Sequence, residues 1–136
     1  MCTVLLRFAP GDAWPLLLAA VRDEFVDRAW DPPGRHWADR LVGGRDRTAG
    51  GPPAPGPDAG PRLSTVDFWG DWVRLLGGDG LDPTDPRALL VRRTLPGRTY
   101  GSTSASLVAV RPGAVRYDFS AAPADPGQWG CILPAS

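Results

Sequence analysis

Cys2 follows Met1 directly in the opening stretch MCTVLLRFAP. Loss of Met1, which a small second side chain permits, leaves one residue carrying both a thiol and a free α-amino group. Such a residue is nucleophile and base at once, the pairing that acyl transfer needs. The plainer reading of Cys2 is a small hydrophobe on a first strand. Asp23 and Glu24 in VRDEF set two carboxylates side by side, either as site groups or as solvated charges at a strand end. GGRD, Gly43 to Asp46, only half matches a phosphate-binding loop and reads better as a turn approaching the nucleophile. His36, the one histidine, reads as an exposed loop residue. Together with Cys2 and Cys131 it makes no zinc-ligand spacing, so neither a metal nor a cofactor is expected. Trp30 and Trp37, in a loop-like stretch, are suited to lining an apolar pocket.

These groups need elements to position them. Cys2 to Phe8 alternates as a strand, with Cys2, Val4, Leu6 and Phe8 on one face. APGDA supplies turn residues, and Leu16 to Val21 is a second, nearly all-apolar strand, so an antiparallel hairpin is expected. A strand apolar on both faces requires cover on the hairpin's outer side. Gly50 to Pro61, GGPPAPGPDAGP, has no large apolar side chain and reads as a flexible segment. Ser64 or Thr65 then caps a helix running to about Leu76, with Val66, Trp69, Val73 and Leu76 along one stripe. Gly77 and Gly78 end it. Pro86 to Arg93 is a candidate second helix. Tyr100 to Val110 and Val115 to Phe119 are strands joined by RPGA, where Pro112 and Gly113 suit the centre of a type II turn. Two hairpins and a covering helix make one α+β domain over residues 1–136, with antiparallel sheet covered by helix.

The bulk properties narrow the partners. The chain has 136 residues, an apolar fraction of 43% and a charged fraction of 22%, which fit a single globular domain. Fifteen basic residues, all arginine, balance fifteen acids, of which only Glu24 is glutamate. Zero net charge without a basic stripe speaks against a nucleic-acid partner. The bias to Arg, Ala, Gly and Pro, with no Lys and no Asn, reads as the imprint of a GC-rich, bacterial-type genome. The longest apolar run, Ala13 to Val21, contains Pro15 and is too short to span a bilayer. Only Arg7 precedes it and no small-residue cleavage site follows, so a cytoplasmic protein is expected. Two cysteines do not make a disulfide framework. The expected partner is a small-molecule ligand or substrate, and an oligomer stays open.

Several of these stretches carry a resemblance. MCTVLLRF, PLLLAAVRDEF, GGRDRTAGG and the later RTYGSTSASLVAV resemble the NRDE family, the transport and Golgi organisation protein 2 family, over roughly residues 1–51 and 95–120. The resemblance implies a shortened form of the N-terminal-nucleophile hydrolase fold, in which antiparallel sheets stack between helix layers (αββα). It implies that Cys2 attacks an amide carbonyl with its own α-amine as base, that Asp23 orients that amine, and that Arg22 favours the thiolate. A cysteine amidohydrolase of a small acyl-amide follows. The family's links to lipid and haem handling imply an alternative, a non-catalytic binder of a lipid-like or haem-like ligand. Val21 stands where the family has its name-giving Asn. With no Asn in the chain, oxyanion donors must be backbone N–H, Arg, Ser or Thr. The long central part of the family is replaced by the Pro/Gly run.

Overall fold

The computed structural model describes residues 2–37, 41–47 and 64–133. The expected first hairpin forms: Cys2–Phe8 (β1) pairs antiparallel with Leu16–Phe25 (β2), from Cys2 opposite Arg22 to Phe8 opposite Leu16. Its turn is closed by Ala9 N–H donating to the Pro15 carbonyl at 2.8 Å and by an Arg7–Asp12 ion pair. The second hairpin also forms. Arg98–Arg111 (β6) turns through Pro112 and Gly113 into Ala114–Ser120 (β7), with Gly113 at φ 77, the left-handed geometry that the third position of a type II turn demands.

Four further elements complete the strand set. Trp30–Gly34 (β3) and Gly43–Asp46 (β4) pair as a separate two-stranded ribbon. Arg92–Leu95 (β5) joins the first part of β6, and Trp129–Leu133 (β8) joins β7 after a single 3-10 turn at Pro126–Gln128. The main sheet is six-stranded and antiparallel, in the order β1-β2-β6-β7-β8, with β5 beside β6. β1 and β8 end this order, and β5 pairs on one side only.

The helical stretch departs from a single helix. Thr65–Trp69 (α1) and Asp71–Leu76 (α2) are separated at Gly70, whose φ of 53 lies where L side chains are strained. Ser64 caps α1, its Oγ accepting the Asp67 N–H at 3.1 Å. The break takes Val66 off the expected stripe and leaves it exposed, while Trp69, Val73 and Leu76 are buried. No helix forms at Pro86 to Arg93. Asp82 and Asp85 instead accept the backbone N–H groups of Thr84 and Arg87, both at 2.8 Å, and these local bonds outcompete a helix that Pro83 and Pro86 already disfavour. Gly50 to Pro61 lies outside the described residues.

Alternation sorts the sheet into two faces. Ala19 and Val21 of β2 and Ala105, Leu107 and Ala109 of β6 pack against Trp69, Val73, Leu76 and Leu90 in one buried core. Burial of side chains such as Leu76 and Leu107 contributes about 1.5–3 kcal/mol each. α1 is also pinned by a polar anchor on this face. Asp118 of β7, fully buried, accepts from Thr65 Oγ1 at 2.6 Å and Trp69 Nε1 at 2.8 Å, and from Arg116 Nε at 2.6 Å and Nη2 at 2.9 Å. The Arg116 guanidinium also lies over the Phe68 ring at 4.3 Å. Burial works to lower the Arg116 pKa, but the bond and charge of Asp118 outweigh it and hold the pKa above its usual value.

The β3–β4 ribbon sits on the opposite face, where Trp30 meets Phe119 edge-on at 5.8 Å between ring centres. Fully buried Asp31 is held by Arg45 Nε at 2.8 Å and Arg47 Nε at 3.3 Å. The cover that the apolar hairpin requires on its outer side is incomplete among the described residues: Leu16, Leu18 and Ala20 are half-buried, and Val4, Leu6 and Phe8 are exposed.

Candidate functional site

A groove of about 330 Å³ opens between the ribbon and the sheet. Its walls are Arg22 of β2, Ser104 and Ser106 of β6, Tyr117 and Phe119 of β7, and Trp30, Pro33, Gly44, Arg45 and Asp46 of the ribbon. β-Alternation explains the serines. Ser104 and Ser106 share the face opposite the core, so the run SAS, Ser104 to Ser106, presents hydroxyls to the groove and Ala105 to the interior.

Arg22 is the hinge between groove and ribbon. Its Nη1 donates to Thr103 Oγ1 at 2.9 Å, its Nη2 to Asp46 Oδ1 at 3.1 Å, and its guanidinium stands 5.4 Å from the Trp30 ring centre. Asp46 also takes Arg28 Nη2 at 2.8 Å, and Arg28 reaches Glu24 at 3.1 Å. The Phe25 N–H bonded to Glu24 holds that carboxyl below its ordinary pKa; slight burial opposes this, and the charges of Arg28 and Arg22 add to it. GGRD is thus a strand, and its charged pair ties the ribbon: Arg45 to Asp31, Asp46 to β2.

The expected site residues fall into two groups. Cys2 is exposed and lies directly across the β1–β2 ladder from Arg22, so both side chains leave the sheet on the groove's face. Trp30 lines the groove, as the first residue of a strand rather than of a loop. Asp23 goes the other way. It is the next residue along β2 and points to the opposite face, buried, with its Oδ1 accepting from Ser102 Oγ at 2.6 Å. It still flanks the end of β1, one step past the Cys2–Arg22 pair. Trp37 is exposed and stacks edge-on with His36 at 5.7 Å, outside the groove walls. His36 is half-buried, its Nε2 at 2.7 Å from the Pro32 carbonyl. Cys131, half-buried on β8, donates its thiol to the Leu133 carbonyl at 3.3 Å. Among the described residues no three His, Cys, Asp or Glu side chains gather as a metal site, and no helix is long and apolar enough to cross a membrane.

Two measurements follow from this geometry. Limited alkylation near neutral pH, read by peptide mapping, is expected to label Cys2 before Cys131, because one thiol is exposed and the other is half-buried and bonded. Equal or reversed labelling would mark Cys2 as a structural cysteine. The second concerns Tyr117. Burial pushes its phenol above the usual tyrosine pKa, and its hydrogen bond with Ser106 Oγ offsets this only in part. The phenol therefore stays a neutral donor or acceptor in the groove. A spectrophotometric titration should show one tyrosine ionising above about 10, a step that Tyr117→Phe removes. The folded pKa is raised, so the matching stability is present below the unfolded value and lost as pH rises through the folded one. A titration that Tyr117→Phe leaves unchanged above about 10 would contradict this.

Comparison with family models, with curated proteins and with solved structures gives no match for the chain.

Proposed function

We propose that the chain is an NRDE-like, N-terminal-cysteine amidohydrolase for a small acyl-amide, working in the cytoplasm. One observation carries the reading: Cys2 stands across from Arg22 on the face where the groove opens. In this reading the fold is a cut-down αββα arrangement, with the β3–β4 ribbon in the place of the second sheet. Once Met1 is gone, the Cys2 thiolate adds to the amide carbonyl, the C–N bond breaks, and the α-ammonium group returns a proton to the departing amine. Water then cleaves the thioester to release the acid and restore the thiol. Asp23, beside the end of β1, would steady the amine, a positioning role. Arg22 would favour thiolate although it also serves Asp46. Oxyanion donors come from backbone N–H groups or from Ser104, Ser106 and Tyr117, since the chain has no Asn.

The test starts with intact mass, because the reading requires Met1 to be absent. Mature protein is then offered a panel of acyl-amides and quenched in acid. A mass increase equal to the acyl group, mapped to Cys2, supports the reading. Turnover by protein that retains Met1 would sink it.

The second reading, a binder without turnover, is favoured by the aromatic and apolar walls Trp30, Pro33 and Phe119 together with the missing Asn. It is favoured if a lipid-like or haem-like ligand quenches Trp30 fluorescence while no acyl adduct forms on any substrate.

A further inference from the structure

We infer that β1 is a self-pairing edge, and that two copies of the chain join antiparallel through Cys2–Phe8 into one continuous sheet. β1 ends the strand order and keeps an unbroken register with β2 over all seven residues. Its outer backbone groups are therefore laid out straight for another strand. Two devices that usually protect an edge are missing, since it has neither a proline nor a bulge, and its core-side face carries a charge only across from Leu17. Its one charge, Arg7, is already paired with Asp12. Val4, Leu6 and Phe8 are 61%, 65% and 69% exposed on one face, and Leu5 is 46% exposed on the other.

The rest of the chain lacks the side chains to cover this strand. Residues 1, 38–40, 48–63 and 134–136 hold just two large apolar residues, Met1 and Leu63. A second copy meets every demand at once. Antiparallel pairing centred on Leu5 sets Val4 against Leu6 of the second copy, and Cys2 against its Phe8, apolar against apolar. On the other face Thr3 meets Arg7, so no like charges oppose. All seven residues pair in that register, and any other register leaves some unpaired. The opposite edge of the sheet is ill-suited: β8 is shorter and its register with β7 is broken at Tyr117/Asp118. Pairing of β1 with β1 is isologous, so it closes at two copies instead of growing into a filament. Both grooves then open on the same side, and Phe8 of the second copy stands beside Cys2.

Sedimentation equilibrium of the full chain at micromolar concentration tests this, with variants placed on the two-fold axis. Wild type is expected to weigh twice the chain mass. Leu5→Lys and Leu5→Glu, each checked for an unchanged far-UV spectrum, are expected to be monomeric because each puts like charges face to face. Mixing the two variants should restore a one-to-one pair, which a merely damaged fold could not do. Three results would overturn the inference: monomeric wild type, a dimer that Leu5→Lys leaves intact, or a mixture of the variants that stays monomeric.

Discussion

Asp118→Ala is expected to lower stability by about 3–5 kcal/mol, the range for removing one partner of a buried ion pair. The carboxylate ties α1 to β7: it accepts from Thr65, Trp69 and, twice, Arg116. Its removal takes the ion-pair partner on β7 away from the Arg116 guanidinium, which is only 2% exposed, and the acceptor away from Thr65 and Trp69. A domain of this size has roughly 5–15 kcal/mol in total, so the variant should melt at least about 10 °C lower or fail to accumulate folded. Urea unfolding gives the number, with the midpoint moving and the slope constant. Removing the charge as well, in Arg116→Met/Asp118→Leu, should recover part of the loss, because the helix donors would stay unsatisfied. A single variant that unfolds like wild type would show that apolar packing alone holds the helices.

Cys2→Ala is expected to abolish any amide turnover, by roughly 10³-fold or more, while leaving ligand affinity within about twofold. The asymmetry follows from geometry. Affinity would come from the groove walls Trp30, Pro33, Tyr117 and Phe119, none of which the change touches, whereas bond making needs the sulfur. Asp23→Ala should lower kcat less, through a misplaced amine, with a shifted pH profile as its signature. Its bond to Ser102 gives that variant a structural cost too, and Asp23→Asn, which keeps the shape, separates the two effects. Steady-state kinetics on Met1-free protein and fluorescence titration provide both readouts. Turnover surviving in Cys2→Ala would rule out the cysteine mechanism.

Much of the sheet was legible because period-two patterning is a local signal. The β1–β2 hairpin, the Pro112–Gly113 turn and the last long hairpin were all readable from residues within a few positions of one another. The ribbon was not. WDPPG carries two prolines, which argue against a strand unless it is a free ribbon, and its stabilising pair, Asp31 with Arg45, is 14 positions apart in the chain. The break at Gly70 was hidden because the residues on both sides keep a helical stripe. Of the groove walls, Arg22 and Trp30 were legible as chemistry-bearing types. The wall hydroxyls were not singled out, although the alternation of SAS, Ser104 to Ser106, contained the signal. Trp37 was misplaced because its local sequence says nothing about which side of the ribbon it takes.

The register of β2 against β6 passes from Arg22 opposite Ser104 to Asp23 opposite Ser102, leaving Thr103 unpaired. That bulge has a consequence for how the chain tolerates changes in length. Elsewhere in β6 the loss of one residue would turn every side chain beyond it to the wrong face, exchanging core alanines for groove serines. At Thr103 it would not, because residues on either side already continue the alternation as if the extra residue were absent. Thr103 is therefore a tolerated insertion, held by its hydroxyl, which donates to the Arg22 carbonyl at 3.2 Å and accepts from the Arg22 guanidinium. Descendants of this chain could shed the residue and keep the sheet, losing only the grip on Arg22.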